Sequence, residues 1–240
     1  MDLSPLWISL KIAVTATVIT FVLGLLAAWG VTYLRRAKHV VDGILSIPLV
    51  LPPTVVGFLL LILFGQNSAF GRFLNNIGIN LIFTWQGAVI AAVVVSFPVM
   101  YRGVRGALEQ VDEELVQAAR TLGMGEFTIL RKVLLPSAWP GIAASAVLSF
   151  ARALGEFGAT IMIAGNLPGK TQTMSVAVYT AMQGGNRDLA YKWVLIIVAF
   201  SLTILILMNC WTGKGFRKYN RKKVKGTGAA AGGSGKGGSL

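Results

Sequence analysis

Five apolar runs, each about as long as a bilayer is thick, decide what this chain can become. They extend from Leu6 to Leu34, Ile44 to Phe64, Trp85 to Tyr101, Ile142 to Ile163 and Trp193 to Trp211. A helix needs about 20 mostly apolar residues to cross the hydrocarbon core of a membrane. There every backbone N–H and C=O must be satisfied within the protein. The spacing therefore predicts an all-α membrane protein with about five transmembrane helices. The charged fraction agrees: 13%, against about 25% in an average soluble domain. The first run is long enough to tilt or to project beyond the hydrocarbon. It is not a cleavable signal, because no basic segment precedes it and the apolar stretch is too long. The segment from Thr171 to Met182 is too short and too polar for a sixth span. It reads as a short helix at the outer end of the bundle.

Charge gives the orientation. The chain carries 22 Lys and Arg against 9 Asp and Glu, a net +13. In a soluble protein that excess would suggest nucleic acid. Here the cations gather in clusters that five spans place on one side. Arg35, Arg36 and Lys38 follow the first span, Arg102 and Arg105 follow the third, and Lys214, Arg217, Lys218, Arg221, Lys222, Lys223 and Lys225 follow the fifth. Basic loops stay in the cytoplasm, so the N-terminus is expected outside and the C-terminus inside. No nucleic-acid partner is expected; the basic run near the last span suits contact with anionic membrane lipid. Residues 1–213 read as one transmembrane domain. Residues 214–240 read as a basic, then Gly/Ala/Ser-rich tail of linker composition. A single His39 and a single Cys210 leave no basis for a disulfide framework or a metal site.

The polar stretch between the third and fourth spans, about 107–137, carries the most specific signal. Asp112 is placed to cap a helix, with Glu113 and Glu114 in the favourable first turn. Gly123 is placed to end that helix in a left-handed conformation. A second short helix is expected from Glu126 to Pro136, because proline cannot continue a helix without losing a hydrogen bond. Ala118 and Ala119 are small enough to let another surface approach the backbone. Such a loop presents a surface to a soluble partner; an amphipathic helix lying on the membrane is the plainer alternative.

Gln117-Ala118-Ala119, three residues, Gly123, nine residues, then Val133-Leu134-Leu135-Pro136 resembles the EAA loop of ABC importer permeases. The family pattern has Glu where Gln117 stands and Ile where Val133 stands. Gln117 keeps length and hydrogen bonding but not charge. Three further stretches resemble the molybdate/tungstate branch, with sulfate permeases as close relatives: Pro48 to Gly57, Ser149 to Thr160, and Gly165 to Thr173. The resemblance implies a non-catalytic permease subunit that forms a homodimer and works with two cytoplasmic ABC ATPases and an extracytoplasmic molybdate-binding protein. ATP and Mg would belong to the partner ATPase, with no cofactor on this chain. Gln117, Ala118, Ala119, Gly123, Leu135 and Pro136 would form the ATPase-coupling element. A sulfate, thiosulfate or other solute permease, a passive anion channel and a membrane scaffold are the competing readings. No Gly-x4-Gly-Lys-Ser/Thr pattern occurs, so a P-loop is absent from this sequence.

The span-embedded residues give the candidates for a pathway or gate. Pro52 and Pro53, with Pro48 before them, interrupt the second span and free backbone carbonyls. Such breaks line cavities in transporters or merely kink a helix for packing. Arg152 and Glu156 are four apart in the fourth span, a spacing that lets them pair on one helix face. They read either as a structural pair or as part of an anion path. Gly155 and Gly158 would let neighbouring helices approach closely. Ser149, Thr160, Ser175 and Thr180 supply hydroxyls for a weak, transient anion path. Lys11 in the first span is expected to snorkel to the outer interface.

Overall fold

A computed structural model of the chain describes residues 2–206 apart from 33, 35 and 36. Arg35, Arg36, Cys210, the end of the fifth expected span, the basic run from Lys214 and the whole 214–240 tail lie outside the described residues. Among the described residues all regular structure is helical. The elements are α1 (Ser4–Thr32), α2 (Lys38–Val50), α3 (Pro53–Phe64), α4 (Ala69–Asn76), α5 (Trp85–Glu109), α6 (Glu113–Thr121), α7 (Glu126–Ile129), a π-helical turn (Leu130–Leu134), α8 (Leu135–Leu154), α9 (Gly158–Ala164), α10 (Met174–Gln183) and α11 (Arg187–Ile206). Among the described residues four helices are long and apolar enough to cross a membrane, α1, α5, the continuous run Glu126–Leu154 and α11, and the bent pair α2–α3 makes a fifth if it is one broken span.

α5 is the centre of the bundle. α1 packs along it and also reaches α2, α8 and α10. The buried side of α1 explains how. Ile8, Ile12, Ala16, Thr20, Gly24 and Ala28 recur every four residues. At 3.6 residues per turn such a row drifts by about 40° per step, so one helix can serve several neighbours in turn. The row is mostly small, which lets backbones meet where lipid offers no hydrophobic drive for association. At its middle, a Cβ on Gly24 would lie 2.8 Å from Met100 Cγ. Thr20 and Ser149 share a hydrogen bond of 3.3 Å, and Ser149 donates at 3.5 Å to the Ser96 carbonyl. These fully buried hydroxyls tie α1, α8 and α5 together.

The second expected span is not one rod. α2 and α3 meet at 106°. Proline disfavours helical geometry in the residue before it. Leu51 accordingly has φ −71°, ψ 140°, and Pro52 has φ −55°, ψ 137°. Pro53 then opens α3 at a position where its missing N–H costs nothing. Pro48 sits inside α2 without ending it.

The fourth expected span, Ile142 to Ile163, is also corrected. Its helix starts far earlier, at Glu126, and stops at Leu154; α9 is separate. The short helix expected to stop at Pro136 does not stop there. The chain widens instead into the π turn, where the Leu135 N–H donates to the Leu130 carbonyl five residues back. That extra residue per turn relieves the clash a proline ring makes with the preceding turn, so Pro136 falls in the first turn of α8. The segment expected as a short helix from Thr171 to Met182 is α10, with Thr173 capping its N-terminus. The Met174 N–H donates to the buried Ser9 hydroxyl at 2.8 Å, seating α10 on α1.

Candidate functional site

Two candidate regions lie at opposite ends of one helix. The first is the corner between α6 and α7. The Asp112 carboxylate accepts from the Glu114 N–H at 3.1 Å and starts α6. At the other end the Met124 N–H donates to the Ala119 carbonyl at 3.2 Å and the Gly123 N–H to the Arg120 carbonyl at 2.9 Å. Those two bonds are the Schellman pair, and they require a left-handed residue between them. Gly123 supplies it with φ +73°. Arg120 and Glu126 then clamp the corner with two bonds, 2.9 and 3.3 Å. The Phe127 ring packs edge-on against Trp29 of α1, centroids 6.1 Å apart. The corner is thus held to the bundle as well as to itself.

Its outward side is mixed. Gln117 and Ala118 are exposed, whereas Ala119 is turned inward and buried. Gln117 donates weakly to Glu113 at 3.5 Å. Leu135 is half-buried and Pro136 exposed in the first turn of α8. Sequence reasoning missed the apolar members of this surface. Leu115, Leu122 and Phe127 are 49%, 80% and 64% exposed, so the corner displays apolar side chains on α6 and at the very start of the run that follows it. Isolated apolar residues within a polar run were the available signal.

The second region is where α8 ends. Arg152 lies in the last turn of α8, Gly155 is the residue at which the helix ends, and Glu156 lies beyond it. The pair forms, at 2.7 Å, but not along one helix face. Glu156 reaches back to Arg152 from the break, and its other oxygen accepts from the Ala159 N–H of α9 at 2.8 Å. One buried carboxylate therefore joins two helices. Its side chain is 2% exposed and that of Arg152 is 32% exposed, so the pair has a buried anionic end and a more accessible cationic end.

The prolines of the second stretch come to the same place. α3 crosses α9 so closely that a Cβ on Gly57 would lie 2.7 Å from Ala159 Cα, and one on Gly158 would lie 3.1 Å from Pro53 Cβ. The structure brings Pro52, Pro53, Arg152, Gly155, Glu156 and Gly158 together where two broken helices meet. Thr160 and Ser149 are buried nearby in the same elements. The third stretch is a closed loop. The Leu167 N–H donates to Thr171 Oγ1, Asn166 donates to Thr180, and Gln172 donates to Asn166. Those three side chains are spent on holding the loop's shape, with Gly165 and Gly169 at positive φ.

Replacing Glu156 by alanine removes the acceptor from both Arg152 and Ala159. Opening a buried pair from one side costs about 3 kcal/mol at the low end, the relevant end because Arg152 can partly rehydrate. Thermal unfolding in detergent is expected to show that loss. Glu156→Gln, which keeps the acceptor for Ala159, is expected to recover part of it.

A third polar cluster was not anticipated. Asp42 of α2 pairs with Arg105 of α5 and accepts from the Tyr101 hydroxyl at 2.6 Å. Glu109 accepts from Arg105 at 2.9 Å and from Lys38 at 3.3 Å. Arg102 donates to the Ser46 hydroxyl at 3.0 Å. The cations read as topology markers also fasten α2 across α5. Tyr101→Phe removes one charge-assisted bond, worth about 1.5 kcal/mol, and is expected to lower stability by that much in reversible unfolding.

One helix connects the two candidate regions. The run Glu126–Leu154 has 29 residues, about 44 Å at 1.5 Å per residue. Its first residue is clamped to α6 and its last turn carries Arg152. This long helix, a lever in shape, joins the α6–α7 corner at one end to the charged break at the other within a multi-pass membrane protein. The chain belongs to the family of binding-protein-dependent transport system inner membrane components, whose profile matches residues 20–214. It is similar to the molybdenum transport system permease protein ModB of Escherichia coli strain K12, 43% identical over 203 residues, which span 83% of this chain and 89% of that one. ModB of Haemophilus influenzae is 38% identical over 91% of this chain and 96% of its own. The sulfate transport system permease protein CysT of Salmonella typhimurium is 36% identical over 84% and 73%. Among solved structures, the inward-facing MetNI methionine ABC transporter shares the fold with a TM-score of 0.67 at 20% identity, covering 88% of this chain and 94% of that one. A bacterial ABC transporter involved in alginate import does so with a TM-score of 0.75 at 15% identity, covering 88% and 79%.

Proposed function

We propose that this chain is the membrane subunit of an ATP-driven importer for molybdate or tungstate, working as a homodimer with the path on the twofold axis. The observation that carries the proposal is the α6–α7 corner: a capped, doubly clamped, outward-facing element at the start of the lever helix, on the residues that match the EAA pattern. The molybdenum permeases among its relatives support the substrate. The α6 end lies in the cytoplasm, with the N-terminus outside and the C-terminus inside, as the basic loops require. Two ABC ATPases dock on Gln117, Ala118, Gly123 and their apolar neighbours, and bind ATP and Mg. ATP binding draws them together, and the corner pushes the lever. The break at Gly155–Gly158 and the bend at Pro52–Pro53 then change their crossing, opening the outer end to an extracytoplasmic binding protein. Hydrolysis restores the inward-open state.

The Arg152–Glu156 pair suits a gate better than a tight anion site, because Glu156 offsets most of the attraction Arg152 offers a dianion. Weak sites speed release; affinity belongs to the binding protein. The test is ATPase activity of the complex reconstituted with its ATPase and binding protein. Stimulation by the molybdate-loaded binding protein is expected, and stimulation by a sulfate-loaded one alone would move the substrate to sulfate.

A further inference from the structure

We propose that the cavity between the N-terminal part of α1 and the start of α5 binds the phosphate of an anionic glycerophospholipid. The cavity measures about 480 Å³ and is lined by Trp7, Lys11, Thr84, Trp85, Lys170 and Thr171 among others, with no carboxylate in its wall. Lys11 interrupts an otherwise apolar stretch of α1, where a cation is costly unless something compensates it. Among the described residues no carboxylate pairs with Lys11 or Lys170. The Lys11 ammonium rests 3.8 Å over the centre of the Trp85 ring. That contact fixes the charge against an aromatic face without using its hydrogen-bond donors.

Two features select a lipid over a free oxyanion. Trp7 is 67% exposed on an apolar helix and Trp85 lies beside it, and tryptophan concentrates at the headgroup level of a bilayer. Trp7, Lys11, Val14 and Val18 also follow one another at spacings of four, three and four, which puts them on one helix face. Val14, Val18 and Val22 are 47%, 60% and 50% exposed. The cation therefore heads an open apolar ridge that runs away from it along α1. A headgroup phosphate at Lys11 and Lys170, with acyl chains along that ridge, uses both; a free anion would use only the charged end.

The test is native mass spectrometry of the full-length permease equilibrated in micelles holding equal phosphatidylglycerol and phosphatidylcholine. The wild type is expected to retain phosphatidylglycerol preferentially, by about fivefold for each lysine that faces the phosphate. Lys11→Gln with Lys170→Gln is expected to lose the preference, and the paired Arg variants to keep it, with unchanged helical circular dichroism in all. Equal retention of the two lipids by the wild type overturns the proposal, as does undiminished preference in the Gln variant. Displacement of phosphatidylglycerol by millimolar inorganic phosphate would assign the site to a free oxyanion and overturn the lipid source.

Discussion

Gly123→Val is expected to reduce ATP-dependent uptake about tenfold or more while the protein still inserts and folds. The reason is local. Gly123 has φ +73° and a Cβ built on it would meet nothing within 4 Å, so the substitution creates strain and no collision. A left-handed conformation costs an ordinary L-residue about 1–2 kcal/mol, and a β-branched side chain bears it worst. The corner escapes by breaking the bonds from Gly123 and Met124 back into α6. That re-aims α6 relative to the lever helix. A change of about 1.4 kcal/mol in the docking-competent population is already tenfold. Asparagine tolerates the left-handed region, so Gly123→Asn is expected to retain most of the uptake. Uptake into proteoliposomes with internal ATP measures both variants. A passive channel would conduct equally in all three, because it takes no force from this corner.

Gly57→Leu is expected to have the largest structural effect. The new Cβ would stand 2.7 Å from Ala159 Cα, 2.8 Å from the Ala159 carbonyl oxygen and 2.8 Å from Met162 Cβ. Two of those three atoms are backbone and cannot swing away. α3 and α9 must separate, which opens the junction that holds Glu156 and the bend at Pro52–Pro53. Overpacking a tight core costs about 3 kcal/mol at the upper end of its usual range. Size-exclusion behaviour and thermal unfolding in detergent should show a protein that is poorly folded or strongly destabilised. Gly30→Leu is the control: nothing lies within 4 Å of a Cβ there, and stability is expected to change little.

The contrast between these glycines also shows what the sequence reveals. Gly123 was legible because a helix cap is made of neighbours in sequence: Asp112 before, glycine after, and a polar stretch between. The approximate number of spans was legible because length and apolarity alone define it, whereas the bounds of the fourth were not. The break at Pro52–Pro53 was visible too, but its 106° angle was not, since proline fixes the dihedrals at the bend and not how α3 is held by α9. The rule that Pro136 stops a helix failed because a π turn absorbed it, and no residue there announces that turn. Arg152 and Glu156 were rightly paired for an incomplete reason. Spacing by four suits one helix face equally well as a carboxylate reaching back across a helix end, and only the structure places Glu156 in the break. The link from Asp42 to Tyr101 joins residues 59 apart, with a tyrosine hidden in an apolar run. No local pattern encodes it.

The proposed function requires force to pass from a separate ATPase through the α6–α7 corner to a molybdate path. The most direct measurement is molybdate accumulation in proteoliposomes carrying this permease, its ATPase and its binding protein, with ATP inside. Accumulation that needs ATP, the ATPase and an intact Gly123 corner is the predicted result. Molybdate flux that persists unchanged without the ATPase would contradict it.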